Sequence, residues 1–332
     1  MVTVLLLKSH LGSVKSSPSL GMLQRLARLT QPDFKVLAAS RGKAQLLTIP
    51  YSHFCEFGAW ALHAARIPFE EQAFGPGGHV LPLLRLRLGD GEQRHISSTS
   101  AVAKPSRSGD DEVAISRRPG GSATAVPACV LPDGRVLVDS WSIARFASET
   151  AGIAPIPDEL QSFLDTRLGP LTRQLSYTQL FAPNNLNVWN GLVVDGTSAA
   201  WRAVWWGAGA RMTRRMTKIF SSADAEATAL CKQRLHEAFA TLEVEHGVGA
   251  LGQERFLGGK TPGMADIALA ALAAPAVQPE LYCDGRYAHW FELLLRQDPA
   301  LAEEVAGWRE TAVGRHSLRV YAACRREPLV KP

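Results

Sequence analysis

A short apolar run followed by a helical repeat is the clearest pattern in this chain. Leu46–Ile49 is apolar and is ended by Pro50, which indicates a short buried strand. Ser52 suits the N-cap of a helix. The helix that follows has apolar residues at steps of three and four, which predict one buried face: Phe54, Phe57, Trp60, Ala61 and Ala64. The pattern therefore predicts a strand, a turn and a helix, with one hydroxyl at the positive end of the helix.

A second strand and a hairpin are predicted further along. Pro68 ends the first helix, Glu70–Phe74 indicates a strand, and His79–Leu88 indicates a short irregular helix. Two apolar runs on either side of Asp133-Gly134 then predict a hairpin: Ala128–Leu131 and Arg135–Val138. Asp139-Ser140 caps the next helix.

The segment between these parts has a different composition. Gly89–Thr124 is rich in Ser, Gly, Pro, Arg and Asp and has hardly any apolar periodicity. Since little apolar burial offsets the entropy of ordering it, we predict a disordered surface insertion.

From about Ala154 the periodicity is helical throughout. Pro170 is expected to kink or divide the first of these helices. Further on, Gly263 is a tolerable N-cap, and Asp266 can reach back to its N–H as half of a capping box. The predicted role of this box is folding.

Charge and cysteine content narrow the function classes. The net charge of the 332 residues is +5, but the segment before Gln45 has seven basic residues and one acidic residue, so the remainder carries −1. A nucleic-acid partner is therefore not implied. The five cysteines have no paired spacing, which indicates a reducing compartment and argues against a disulfide scaffold or a metal site.

The front segment is typical of a targeting sequence. Residues 1–44 are rich in Ser and basic residues and nearly free of acids, so we predict a transit peptide or a disordered extension. The abundance of Ser favours the chloroplast, with mitochondrion or cytoplasm as alternatives. No stretch is long and apolar enough to predict a membrane span.

Several of these motifs resemble those of the glutathione S-transferase superfamily. Ser52-His53-Phe54-Cys55, followed by Gly58, Ala61 and Leu62, is similar to the first unit of its serine-type and cysteine-type classes. Val126-Pro127, the hairpin, Asp139-Ser140 and Phe256–Leu269 follow in the order of that family. The run Trp308–Tyr321 resembles bacterial glutathione-transferase-like proteins.

This resemblance implies an architecture and a ligand. The expected fold is an α/β thioredoxin-like N-terminal domain over 45–150, interrupted by the insertion at 89–124, and an all-α C-terminal helical domain over 154–327. The expected co-substrate is glutathione, the other substrate is a small hydrophobic electrophile, and the assembly is a homodimer that serves detoxification. The resemblance also implies a cis bond at Val126–Pro127, whose backbone pairs with glutathione, and a γ-glutamyl contact at Asp139 and Ser140.

The chemistry expected of Ser52 is thiol activation. Its O–H, at a helix N-terminus, would stabilise the glutathione thiolate, which is the nucleophile. Tyr51 is the rival hydroxyl. Cys55 offers a redox alternative because Ser-x-x-Cys stands where thiol-disulfide exchangers have Cys-x-x-Cys, although a buried small residue is the simpler interpretation.

The remaining candidates have equally plain alternatives. His79 and Arg85 are candidates for binding the glycyl carboxylate of glutathione, or are solvated surface groups. Tyr177, Phe181 and Trp189 are candidates for the acceptor pocket, or pack in the core. Three functions follow: a glutathione transferase, a glutathione-dependent thiol oxidoreductase, or a non-catalytic carrier or scaffold of the same fold.

Overall fold

A four-stranded mixed sheet organises the N-terminal half of the chain. The computed structural model describes residues 31–49, 51–88, 102–103, 115–116, 125–252, 254–326 and 329. The strands of this sheet are β1 (Ala44–Thr48), β2 (Phe69–Ala73), β5 (Ala128–Val130) and β6 (Val136–Leu137). Their order is β2-β1-β5-β6, with β2 parallel to β1 and both other pairings antiparallel.

Helices cover both faces of this sheet. They are α1 (Phe34–Arg41), α2 (His53–Ala64), α3 (Val80–Leu88) and α4 (Ser140–Ala151). Successive residues of β1 point to opposite faces. Leu46 packs with Leu62 of α2 and with α4, whereas Leu47 packs with Phe34 of α1 and with α3. The predicted thioredoxin-like architecture is thereby confirmed.

Helix α1 corrects the predicted start of this domain. The sequence predicts a boundary at Gln45, but Asp33 caps α1 by accepting from the N–H groups of Lys35 and Val36, and Phe34 and Ala38 are buried against the sheet. The folded domain therefore includes residues 33–44. The predicted targeting sequence otherwise falls on residues 1–30, outside the described part.

The hairpin forms where the sequence predicts it. Gly134 has a φ of +85°, and Leu131 donates its N–H to the carbonyl of Arg135 across the turn. The predicted insertion lies outside the described residues except for β3 (Val102–Ala103) and β4 (Ile115–Ser116), which pair antiparallel.

The C-terminal half is helical, as expected. Its α-helices are α5 (Asp158–Phe163), α6 (Gly169–Leu180), α7 (Leu186–Val194), α8 (Ala199–Ile219), α9 (Ala225–Val244), α10 (Met264–Val277), α11 (Ala288–Gln297), α12 (Pro299–Glu310) and α13 (Ala312–Cys324). Every residue of α10 is buried, as expected of a helix that is apolar on all sides. It packs against α2, α6 and α13, so it joins the two halves. No helix in the described ranges is long and apolar enough to cross a membrane.

Two local predictions for this half are confirmed. The helix that begins with α5 widens to a π-helical turn over Leu164–Leu168, and Pro170 lies in the first turn of α6. Proline lacks the N–H that would bond four residues back, so the regular ladder is interrupted there. Asp266 accepts from the N–H of Gly263 at 2.7 Å, which is the predicted half of the capping box.

Candidate functional site

The predicted site segments meet at one edge of the sheet. β1, β2 and β6 run in the same direction, so their carboxyl ends share an edge, and Leu47 of β1 pairs with Ala128 at the start of β5. Four segments therefore converge there: Tyr51-Ser52, Phe74–His79, Val126-Pro127 and Val138–Ser140. Helices α2 and α4 both begin at this edge, and their N-termini favour negative charge.

Ser52 is the N-cap of α2, as predicted. Its backbone is extended (φ −83°, ψ 125°), and its side chain makes no capping hydrogen bond to the helix. The residue is half-buried. Its hydroxyl lies against the Cys55 sulfur and helps to lower the pKa of that thiol. The Ser52 hydroxyl thus lies at the start of α2 with the Cys55 sulfur as its partner, and it does not cap a backbone N–H of the helix.

Cys55 is a buried residue of the interior. It is 1% exposed, and its sulfur accepts from the Ile49 N–H at 3.4 Å. Burial raises the pKa of the thiol to about 12, which outweighs the opposing contributions of Ile49 and Ser52. A protonated, inaccessible thiol is a poor nucleophile. The redox role considered for Cys55 therefore finds no support, because tertiary packing removes the benefit of its place at the helix N-terminus.

Tyr51 faces the helical half of the chain. Its ring packs edge-on against Trp189 and Tyr287, and its carbonyl accepts from the Tyr282 hydroxyl at 2.9 Å. Burial, with smaller contributions from Tyr177, Tyr287 and Cys55, raises the pKa of Tyr51 well above its usual value. The Tyr51 hydroxyl therefore stays protonated at neutral pH.

The Val126–Pro127 peptide bond is cis, as the resemblance implies. Pro127 lies close to α2, since a Cβ added to Gly58 would come within 3.1 Å of the proline ring. Glycine at position 58 therefore allows the helix to approach the proline segment closely.

Asp139 and Ser140 begin α4. Asp139 Oδ1 accepts from the Ser142 N–H at 2.7 Å, and the Ser142 hydroxyl lies 3.2 Å from the Asp139 nitrogen, which completes a capping box. Ser140 is only 2% exposed. The simpler interpretation, an N-cap pair, thus holds; a ligand role would use the same helix N-terminus.

His79 and Arg85 lie in different places. His79 is half-buried in the segment that follows β2, at the site edge. Arg85 instead forms an ion pair with Asp33 at 3.5 Å and donates to the Gln31 carbonyl, so it joins α3 to the start of α1. This position does not support the predicted carboxylate-binding role of Arg85. Both of these partners of Arg85 lie within residues 1–44, the predicted transit peptide or extension.

Tyr177, Phe181 and Trp189 are brought together, but as core residues. Phe181 packs edge-on against Trp189 at 4.9 Å, and Tyr177 stacks on Phe181 at 5.2 Å. Trp189 is fully buried and donates to the Thr213 hydroxyl. They form a packed layer behind Tyr51, which favours the core-packing alternative, and their place in an acceptor pocket stays a prediction.

The sequence analysis did not predict that Trp201 of α8 would pack at the site edge. Trp201 of α8 packs on the loop after β2 so closely that a Cβ on Gly75 would lie 2.0 Å from its indole nitrogen. The sequence signal was Gly75-Pro76-Gly77-Gly78, since glycine-rich turns permit close approach. That signal does not identify the partner, which comes from a helix more than 100 positions away.

His53, at the start of α2, contacts the helical half of the chain, and its burial predicts a pH dependence of the stability. It is 4% exposed, and its Nε2 lies 3.0 Å from the Gly169 carbonyl. Burial, and then the charge of Arg173, lowers the pKa of His53 from 6.5 to about 3. Between these values the unfolded state binds a proton that the native state does not, so stability should fall as the pH falls through this window. We expect His53→Gln to flatten that loss.

The measurement is urea unfolding of both proteins at several pH values between 7 and about 4, above the regime of general acid denaturation. His289→Gln is the control, because His289 is 59% exposed. Parallel pH curves for the wild type and His53→Gln would contradict the assignment.

Among comparisons with known proteins, only the comparison with solved structures found similar proteins. No family model and no curated protein match the sequence. The chain is similar to a glutathione S-transferase of Ceriporiopsis subvermispora in complex with glutathione (15% identity, 77% of this chain, 98% of that chain, TM-score 0.43). It is also similar to a glutathione transferase of Pseudomonas putida with glutathione disulfide bound (12%, 90%, 98%, 0.42) and to one of Phanerochaete chrysosporium (13%, 77%, 97%, 0.43).

In the part of the chain that the structure describes, no group of three His, Cys, Asp or Glu side chains is placed to hold a metal ion.

Proposed function

We propose that this chain is a glutathione transferase that activates the glutathione thiol with Ser52. The observation that carries the proposal is the convergence of Ser52, the cis Val126–Pro127 bond and the N-terminus of α4 at one edge of the sheet. These are the three segments that the motif resemblance assigns to the sulfur, the peptide backbone and the γ-glutamyl end of glutathione.

Each end of the ligand finds complementary chemistry. The γ-glutamyl carboxylate suits the N-terminus of α4, and its ammonium suits the carboxylate of Asp139. The backbone N–H and C=O of Val126 suit the pairing of a short β-bridge. The cysteinyl sulfur then reaches the start of α2, where the Ser52 hydroxyl and the helix dipole favour the thiolate. The thiolate attacks an electrophilic carbon, and the leaving group departs with the displaced electron pair.

The oxidoreductase alternative receives no such support, because Cys55 is buried and its pKa is raised to about 12. The homodimer, the chloroplast location and the role in detoxification remain predictions of the sequence. The non-catalytic carrier is separated from the transferase by the experiment below.

Replacing Ser52 by Ala tests the mechanism. One charge-assisted hydrogen bond is worth about 1.5–3 kcal/mol, which corresponds to about one to two pKa units of the bound thiol. We expect Ser52→Ala to bind glutathione normally while its turnover of an activated aryl halide falls about tenfold to a hundredfold. Calorimetry measures binding, and the ultraviolet absorbance of the thiolate across pH measures the pKa of the bound sulfur.

Tyr51→Phe is the matched control, since it removes the hydroxyl of the neighbouring residue, whose ring packs against the helical half. A loss of turnover in Tyr51→Phe with Ser52→Ala unaffected would transfer the role to Tyr51. Normal glutathione binding with no turnover in the wild type, across several electrophiles, would select the carrier.

A further inference from the structure

Helix α8 presents to solvent a row of residues spaced four positions apart. Residues at this spacing form a ridge along a helix. The outer row of α8 consists of five residues, all of them exposed: Arg202, Trp206, Ala210, Arg214 and Lys218. It extends over roughly 24 Å, at about 1.5 Å per residue. The opposite side of α8 holds the helix in the fold, since Trp205 is buried there and packs edge-on against Trp189. The outer row takes no part in this packing.

Trp206 is an exposed aromatic residue in the middle third of α8. All eight tryptophans of the chain lie in its described part, and Trp206 is 70% exposed, whereas the other seven are buried or half-buried. Beside it, a Cβ added to Gly207 would meet no described atom within 4 Å. Exposure of so large an apolar ring to water is unfavourable, and tryptophan prefers a boundary between apolar and polar surroundings. The ring is therefore suited to insert into a partner.

The charge of α8 differs from that of the chain around it. The helix contains four arginines, one lysine and no acidic residue, so it carries +5, whereas the rest of residues 45–332 carries −6. The four cations between Arg211 and Lys218 form no ion pair with any residue in the described ranges. A long row of uncompensated cations attracts an extended anionic surface more strongly than a single small anion.

The shape and chemistry of the outer row favour a lipid surface over other anionic partners. A bound peptide enters a groove with pockets or pairs with a sheet edge, whereas the outer row is a ridge with one protruding ring. A nucleic-acid duplex offers phosphates but no apolar layer for an indole ring. A second copy of α8 would bring +5 against +5. An anionic bilayer offers both phosphates for the cations and an acyl boundary for Trp206.

We propose that the outer row of α8 binds this protein to the surface of an anionic membrane. The helix lies in the plane of the interface, Trp206 inserts at the acyl boundary, and Arg202, Arg214 and Lys218 contact lipid phosphates. Trp201, on another side of the same helix, packs on Gly75 at the edge of the candidate site. The bound protein would thus hold that site close to the bilayer. This docking does not require glutathione, so its test is separate from that of the transferase activity.

The test is sedimentation of the full chain with phosphatidylcholine vesicles that contain about 30 mol% phosphatidylglycerol. Vesicles of phosphatidylcholine alone are the neutral control. We expect binding to the anionic vesicles to be at least about tenfold stronger, because each cation close to an anionic leaflet strengthens binding about fivefold. Most of this binding should be lost at about 0.5 M salt, which screens the cations. Equal binding to both kinds of vesicle, or to neither, would overturn the proposal.

A double variant tests whether α8 is the part that binds. Arg214→Gln combined with Lys218→Gln should weaken binding about twentyfold, since two of the cations are removed. Lys8→Gln combined with Lys15→Gln is the matched control, because it removes the same charge from the basic front segment. It should change binding less than about twofold. Equal losses in the two double variants would show that binding follows net charge rather than α8, and binding of soluble polyaspartate in place of vesicles would indicate an acidic protein partner. Either result would overturn the proposal.

Trp206 supplies a second readout that a purely electrostatic contact would not give. Trp206→Ala should weaken binding roughly tenfold through loss of apolar burial, with the melting temperature unchanged because the ring is exposed. Vesicles with brominated acyl chains should quench part of the tryptophan fluorescence of the wild type but not that of Trp206→Phe. Quenching that persists in Trp206→Phe, or binding unchanged in Trp206→Ala, would refute insertion of this ring.

Discussion

Replacing Asp266 by Ala is expected to destabilise the protein by on the order of 4 kcal/mol or more. The Asp266 carboxylate accepts from three backbone N–H groups, those of Leu257, Gly258 and Gly263, at 2.7–2.8 Å. The residue is fully buried at the start of α10, the helix that joins both halves of the chain. Each buried donor that loses its partner costs about 1–3 kcal/mol, so the losses accumulate at one point. Urea unfolding measures the change.

Asp224→Ala is the matched control. Asp224 caps α9 by accepting from two N–H groups, but it does so at an exposed helix end. Loss of such a cap typically costs about 1 kcal/mol. If Asp266→Ala proved no more harmful than Asp224→Ala, the central role of the Asp266 network would be refuted.

Arg325→Met is expected to cost about 3–5 kcal/mol, because it leaves a buried carboxylate without its partner. Arg325 donates from Nε and Nη2 to the two oxygens of Glu56, at 2.8 and 3.1 Å, and their side chains are only 8% and 2% exposed. Tyr321 also donates to Glu56, at 3.3 Å. This ion pair connects the end of α13 to α2. Its loss should therefore weaken the packing of α2, the helix that has Ser52 as its N-cap.

A double-mutant cycle checks this account. Glu56→Gln combined with Arg325→Met removes both charges, and most of the stability lost in Arg325→Met should return. The exposed pair Arg296–Glu292, with side chains 77% and 64% exposed, is the control. Breaking it should cost no more than about 0.5 kcal/mol. Additive effects of the two core substitutions would show that the pair is not coupled.

Much of the fold was predictable from short stretches of sequence. The strand before Pro50, the cap at Ser52, the hairpin at Asp133-Gly134 and the interruption at Pro170 each depend on residues within a few positions of one another. Such signals act through backbone conformation and local hydrogen bonds, so they survive in the folded chain. The order of the motifs then indicated the architecture.

The site was predictable in part. The positions of Ser52, Val126-Pro127 and Asp139 followed from their motifs, and sheet topology places them together. Arg85 and the aromatic group of Tyr177, Phe181 and Trp189 were candidates for ligand contacts, with other roles left open, and the structure gives them protein partners. Sequence reasoning also missed the Glu56–Arg325 pair, whose members are 269 positions apart. No spacing rule connects residues at such a distance.

The sequence by itself thus determines the local secondary structure of this protein, because caps, turns and apolar repeats act over a few neighbouring positions. Only the tertiary structure decides the burial and reactivity of a side chain, because these depend on which distant residues pack against it. Cys55 illustrates the difference: its place at a helix N-terminus favours a reactive thiolate, yet the surrounding core excludes water and keeps the thiol protonated.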